Sequence, residues 1–521
     1  MRWAAVLALV LFGFNLAWAK PAPVTAPEEV GATEAEPAPP PRTPEEWQAI
    51  AQQNLDAMRD LLIAHTPIAL PGGDAQQQAW LETGYNEALA LIPRVRDDLG
   101  VLYVLRRYAI GFDDIHLTVH QDGPPTPTTW PGFLAARRGS DTVVHWRAAD
   151  APPGQPPVGA IIESCDGQAI EALIEAGLFR FWRSPGVSRG YLQATMRLFI
   201  DNGSGFFPPP QSCVMAWDGA TREVPLQWQP VDLQGGAISA ALLAADGQTE
   251  AVWGITDPAP DVTWIGVPSF MDPYTMAFPP QLSQIVNQLE RQRTRYRRGG
   301  AIVVDLRGNG GGLVGGAHDL ARGIFGPAAE RRGGALFMRT LTVFRISPAN
   351  VDFLTDRMGE AEALRPMGED FPIFSWMFQG ALRDGRDSLT IGPLQERPTE
   401  GLTRQRVGAI PPAAEDGARI FVLFNETCLS ACLIFLDIAA FQPGVTLIGG
   451  VSGADGALTF SRELELPEPG FWLSAPMVEN RGAPRGAGEA YTPDIAYPGV
   501  WADDDVRAWV LDLIAQGRSA N

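Results

Sequence analysis

Two short turns hold the residues best suited to chemistry. The first reads Asp305-Leu-Arg-Gly-Asn-Gly-Gly-Gly312 and follows the apolar run Ala301-Ile-Val-Val. Glycines after a buried strand let the backbone come close to a ligand and aim its N–H groups outward. Such a loop can hold the oxyanion of acyl transfer, where one donor contributes about 3 kcal/mol to the barrier. It can also cradle phosphate, although it lacks the Lys-Ser/Thr ending of a P-loop, or serve as a plain glycine turn. The second turn reads Asn425-Glu-Thr-Cys-Leu-Ser-Ala-Cys432 and sets Ser430 between a predicted strand and a predicted amphipathic helix. A hydroxyl there gains from the helix dipole once it is partly ionised, and the same place suits an ordinary N-cap. Both turns fall at the carboxyl ends of predicted strands, where open α/β sheets bind ligands.

A serine nucleophile needs a base. The only lysine is Lys20, so a lysine base is excluded from the folded part of the chain. Histidine titrates in the right range, and there are five: His65, His116, His120, His145 and His318. His65 in a predicted helix and His145 in a predicted strand read as structural, and His318 reads as a helical surface residue. His116 and His120, four apart, could share a metal, but no glutamate follows the first as a zincin requires. The four cysteines, Cys165, Cys213, Cys428 and Cys432, form no C-x-x-C or Cys/His cluster that would point to zinc. Their even number permits two disulfides, Cys165–Cys213 and Cys428–Cys432, or else four buried thiols. Gly186-Val-Ser188-Arg-Gly190 fits a nucleophile elbow, but the charged stretch before it ends in Pro185 and is not the apolar strand an elbow needs.

The elements that must position these turns follow from periodicity. Leu55, Met58, Leu61 and Leu62 share a helical face, and Leu89, Leu91 and Ile92 indicate another helix, giving a helical domain over 43–115. Residues 116–250 alternate short β-type runs with Gly/Pro turns. Within them, 159–177 reads as strand, tight Asp-Gly turn and helix, similar to the carboxylate-loop half of a PDZ domain. From 251 to 500, strand candidates Val262–Val267, Ala301–Asp305, Arg419–Phe424 and Val445–Ile448 alternate with helical segments. Continuous apolar strands in that alternation predict a parallel sheet covered on both faces. The Pro/Gly- and aromatic-rich stretch 345–415 reads as an inserted lid, and 501–521 as a C-terminal helix. The expected fold class is therefore α/β: a strand-helix-strand core, an N-terminal helical domain and a β-rich PDZ-like module.

In this order the motifs resemble the C-terminal-processing (tail-specific) serine peptidases, including their tricorn-core-like branch. The resemblance spans about Glu45 to Pro498. It rests on "VDLRGNGGG" at 304–312, "LFNETCLSACLIF" at 423–435, "TPDI" at 492–495 and "DDIH" at 113–116, the last similar to the family's Asp-x-His element. It implies that Ser430 is the nucleophile and that the Gly311 and Ala431 N–H groups form the oxyanion hole. The lysine-using branch carries its base some twenty-odd residues after the serine, where this chain has "GGVSGADGALTFSREL". The resemblance is therefore to the histidine-using branch, with His116 as base. Where tricorn has a serine before that histidine, this chain has Ile115. Glu489 or Glu479 matches the family's glutamate before "PD", and Glu489 is the expected third member.

Composition sets the surroundings. A net charge of −20 disfavours nucleic acid and anionic membranes as charge partners. Arg2, the apolar run Ala4–Phe14 and Ala17-Trp18-Ala19 read as a signal peptide over 1–19, followed by a Pro/Ala/Glu-rich disordered linker over 20–42. No later run reaches the length of a spanning helix. The expectation is an exported serine endopeptidase, periplasmic or extracellular, without metal or organic cofactor. Its substrates would be polypeptides, through their C-terminal tails or unfolded segments. The alternatives are an inactive binding protein on the same fold and an esterase using the same serine.

Overall fold

A computed structural model describes residues 42–519, apart from 183–194, 196, 246–251, 273–277, 328–339, 361–370, 393–416 and a few one- or two-residue gaps. The expected signal segment, nearly all of the 20–42 linker, the Gly186–Gly190 motif and much of the 345–415 insertion lie outside the described residues.

The central sheet has six strands: β1 (Gly254–Ala259), β2 (Val262–Gly266), β3 (Ala301–Asp305), β4 (Arg419–Phe424), β5 (Val445–Gly449) and β6 (Ile495–Ala496), adjacent in that order. β2 to β6 run parallel, and β1 is an antiparallel edge strand. Alternate residues of a strand face opposite sides, and here both sides are apolar. Ile302 and Val304, with Ile420 and Val422, pack against α1 (Pro280–Arg297), α2 (Val314–Phe325) and α3 (Ala431–Ala439). Ala301 and Val303, with Phe421 and Leu423, pack against Trp501, Val506, Val510 and Ile514, the last three in the C-terminal helix Asp503–Ser519. The unbroken apolar strands read in the sequence are thus the consequence of cover on both faces. The loops that leave β2, β3, β4 and β5 emerge side by side at one carboxyl edge.

A second sheet is antiparallel. Its longest strand, Phe471–Arg481, pairs with Thr118–Gln121, Leu341–Arg345 and Leu458–Glu465, and Ser388–Ile391 extends it beyond Leu341–Arg345. Three N-terminal helices, Pro44–His65, Ala75–Leu89 and Asp98–Ile110, bury Leu55, Met58, Leu102 and Leu105 in one core with Leu458, Phe471 and Leu473 of this sheet. The first helix opens on a capping box: the Glu46 N–H donates to the Thr43 hydroxyl, and the Thr43 N–H donates to the Glu46 carboxylate. The described part of the 345–415 insertion adds helices Pro348–Glu360 and Phe371–Arg383. Val351, Leu354 and Phe378 pack there onto Met477 and Val478.

The β-rich region forms a third sheet, antiparallel, of Phe133–Arg138, Asp141–Arg147, Ile161–Cys165, Ser212–Trp217 and Ala220–Pro225. Cys165 and Cys213 face each other across adjacent strands and form a disulfide. Asp166 and Gly167, both at positive φ (48° and 77°), make the tight turn read in the sequence, and the chain then enters a helix at Ile170.

Phe435 on α3 is fully buried and stacks on Phe325 of α2. Phe435→Ala should lower stability by about 3–5 kcal/mol, measured by urea unfolding, whereas Thr43→Ala, which removes only a cap, should cost about 1 kcal/mol.

Candidate active site

After Arg419, the strand β4 runs Ile-Phe-Val-Leu-Phe and has nothing polar to offer until Asn425. There the chain turns, and Asn425, Thr427 and Ser430 arrive at the edge of the sheet. Thr427 Oγ1 donates to Asn425 Oδ1 (2.5 Å) and accepts the Gly308 N–H (2.9 Å), which ties this turn to the glycine loop after β3. The disulfide Cys428–Cys432 brackets Ser430, with one end in the turn and the other in the first turn of α3.

Ser430 occupies the N-cap position of α3 but does not act as a cap. Its φ is +52° and ψ −122°, and its hydroxyl makes no capping bond. A serine at positive φ is strained by roughly 1–3 kcal/mol and persists only where its surroundings hold it. The ordinary N-cap has extended backbone and a side-chain oxygen turned onto the helix N–H groups. Neither holds here, so the hydroxyl is left available at the positive end of the helix, in a partly exposed position.

Gly311 is what the turn rests on. A side chain there would meet Ser430 Cβ and the Leu429 carbonyl at 2.7 Å and the Ala431 nitrogen at 3.0 Å, and its φ is +102°. Glycine is the residue that meets both demands. The Gly311 N–H donates to Asn309 Oδ1 (2.9 Å), and Asn309 Nδ2 donates to the Val267 carbonyl (2.8 Å). The loop after β3 is thereby locked to the loop after β2. The Ala431 and Gly312 N–H groups meet no acceptor among the described residues.

The segment 111–117, between the third N-terminal helix and the strand Thr118–Gln121, carries His116. Asp114 Oδ1 accepts both the His116 backbone N–H (2.9 Å) and His116 Nδ1–H (3.0 Å), while Asp114 Oδ2 accepts the Leu458 N–H (2.9 Å). A spacing of two residues lets one carboxylate catch both the backbone and the ring of the same histidine. With the proton held on Nδ1, Nε2 is left as acceptor, buried and without a hydrogen-bond partner among the described residues. Burial of the ring opposes its charged form. The hydrogen bond and charge of Asp114, the charge of Asp455 and the Leu458 backbone outweigh it, so the ring titrates above its usual 6.5.

One four-residue segment joins the histidine side to the serine side. Asp455 Oδ1 accepts the Ser430 N–H (2.9 Å). Gly456 lies against the Asp114 carboxylate so closely that a side chain there would overlap Oδ2, and Leu458 donates to Asp114 as above. Asp455 and Gly456 belong to the segment that holds no lysine, and nothing in its sequence singles them out.

The other residues considered from the sequence lie as follows. Glu479 is buried on Phe471–Arg481 and accepts two bonds from Arg481 (2.9 and 2.7 Å). The Glu489 side chain is exposed and accepts the Gly486 N–H (3.1 Å), while its backbone carbonyl faces Arg485. The carboxylate on the His116 ring is therefore Asp114. His120 stands 3.7 Å from Glu463, His65 Nδ1 is 2.9 Å from the Ser347 hydroxyl, and buried His318 is pushed down to about 4 by burial. No cluster of three metal-binding side chains occurs among the described residues.

No family model matches the chain, and no curated protein matches its sequence. Solved structures do share the fold. Mature CPAF complexed with lactacystin superposes with a TM-score of 0.55, at 16% identity over 90% of this chain and 100% of that one. A serine-to-alanine mutant of CPAF superposes at 0.56, with 15% identity over 88% of this chain and 94% of that one. At such identities the likeness is one of fold.

Two glycines of the same loop separate conformational strain from crowding. Gly308, at φ +78°, faces open space, so Gly308→Ala should cost about 1–2 kcal/mol from backbone strain alone. Gly311→Ala should cost about 1–3 kcal/mol more, because the added methyl displaces the Ser430 turn. Urea unfolding of both variants measures the difference.

Proposed function

We propose that this chain is an exported serine peptidase of the tail-specific type, closest to the histidine-using branch, with Ser430 as nucleophile and His116 as base. The observation that carries the reading is Ser430 itself. It is held at φ +52° with its hydroxyl released from capping, against a glycine loop, and Asp455 and Gly456 link its turn to the Asp114–His116 pair, whose Nε2 is left as acceptor.

In this mechanism His116 Nε2 takes the Ser430 proton as Oγ attacks the substrate carbonyl, and Asp114 holds the ring and stabilises the imidazolium. The carbonyl oxygen becomes an oxyanion and turns to the Ala431 N–H, together with the Gly311–Gly312 backbone. Gly312 brings an unengaged N–H, while Gly311 must release Asn309 to donate. The C–N bond breaks as His116 returns the proton to the leaving amine. Water, deprotonated by the same histidine, then hydrolyses the acyl-Ser430 ester. No metal or organic cofactor enters these steps. The proposed substrates are polypeptides, reached through C-terminal tails or unfolded segments. The β-rich sheet is the candidate PDZ-like module that would select them. Two disulfides and the signal-like start support export to an oxidising compartment, and no described helix is long and apolar enough to cross a membrane.

The test is casein degradation by the mature chain. Ser430→Ala and His116→Ala should each lower kcat/KM by about 10⁴-fold or more with the fold retained. Cleavage that survives Ser430→Ala sinks the assignment. Since CPAF was crystallised with lactacystin, that compound is the first inhibitor to try.

The pH profile gives an independent check. His116 must be neutral to act as base, and its neighbours hold its titration above 6.5. Activity should therefore rise with pH through a midpoint above that value. A midpoint clearly below it would contradict the Asp114–His116 arrangement.

A further inference from the structure

We infer that Asp455 is a positioning residue of this site, holding the strained Ser430 turn by its N–H and placing a carboxylate on the segment that packs against the Asp114–His116 pair. The inference rests on the peptidase reading above and adds a residue that the sequence did not single out.

The N–H of a residue at the N-cap has no acceptor within the helix, so the Ser430 donor needs a partner of its own. Asp455 Oδ1 supplies it at 2.9 Å, a charge-assisted bond to a backbone donor. The carboxylate is itself anchored. Its second oxygen lies 3.5 Å from Arg485 Nη2, and Arg485 Nε lies 3.4 Å from Asp437 Oδ1 on α3. Tyr491 donates its hydroxyl to Asp437 at 2.7 Å, and the Asp455 carbonyl accepts the Gly488 N–H at 2.8 Å. All three charged side chains are largely shielded from water, at 13–16% exposure. The turn bearing Arg485, the helix bearing Ser430 and the loop bearing Asp455 thus form one braced unit. A plain structural ion pair would not need its carboxylate on the nucleophile's own N–H.

The charged groups acting on the His116 ring come from two elements, and a third carries a charged pair near Asp114. Asp114 bonds the ring from the 111–117 segment, and Asp455 acts from the loop after β5. The Glu479–Arg481 pair stands behind Asp114 on the long strand. Asp455 is the member that also touches the serine. As the proton moves from Ser430 to His116, positive charge appears on the ring within the field of the carboxylate that also holds the Ser430 N–H.

Substitution can separate the two roles. Asp455→Asn keeps an oxygen for the Ser430 N–H and removes the charge. It should unfold near the wild-type temperature, lower kcat on the order of tenfold with KM little changed, and move the rising limb of the pH profile to lower pH. Asp455→Ala should lose more, since the turn also loses its anchor. A wild-type pH profile and kcat in Asp455→Asn would overturn the inference, as would a loss explained wholly by lowered stability.

Ring-carbon NMR titration of His116 reads the same charge without turnover. A fall in the His116 midpoint in Asp455→Asn supports the inference, and an unchanged midpoint overturns it, even if the wild type cleaves nothing and the peptidase reading fails. Should Asp455→Asn not fold, Asp455→Glu retains the charge and displaces the carboxylate by one methylene. Slower fluorophosphonate labelling of Ser430 is then expected, together with a His116 midpoint still above 6.5. Wild-type labelling with an unmoved midpoint would overturn the inference.

Discussion

The site depends on one backbone constraint: β4 must pass into α3 through a turn that holds Ser430 at positive φ. A serine gains nothing locally from that conformation, so the stabilisation has to come from around it. It comes from the two flanking loops at the same sheet edge, after β3 and after β5. Gly311 gives the turn a flat floor, Asp455 takes the stranded N–H, and Thr427 ties the turn to Gly308. These loops are adjacent because β3, β4 and β5 are adjacent parallel strands, whose carboxyl ends lie together by topology.

The proposed base comes from elsewhere in the molecule. His116 lies some three hundred residues before Ser430, at the junction of the N-terminal helices and the antiparallel sheet. What brings it in is the docking of that sheet through Leu458, whose N–H reaches Asp114 three residues after Asp455 reaches Ser430. The segment from β5 to the strand Leu458–Glu465 therefore acts as the clasp between the two halves of the site. Gly456 is the place where the clasp closes against Asp114.

Burial sets the electrostatics of this arrangement. A buried imidazole favours its neutral form, and two carboxylates, Asp114 and Asp455, reverse that preference. The result is a ring that carries a proton readily and is oriented by a bond to Nδ1. His318, also buried, is pushed the other way, down to about 4, by burial and the charge of Arg322.

Much of this was legible in the sequence, because some signals are local. Apolar runs of strand length, glycines directly after them and a serine between a strand and a helix reflect burial, close backbone approach and helix polarity. Each leaves its mark within a few residues. The placement of Ser430 and the glycine loop at the sheet edge was legible for that reason, as was the doubly covered sheet, whereas the Asp-x-His element was drawn from the family resemblance alone. The partner of the His116 ring was not: the sequence pointed to Glu489 or Glu479, whereas Asp114 lies on the ring, Glu489 is exposed and Glu479 is paired with Arg481. Nor could the sequence assign a role to Asp455 or Arg485, whose composition and spacing match any polar loop. Which carboxylate meets which donor is decided by how two sheets and four loops dock, a relation between segments far apart in the chain that no local pattern encodes.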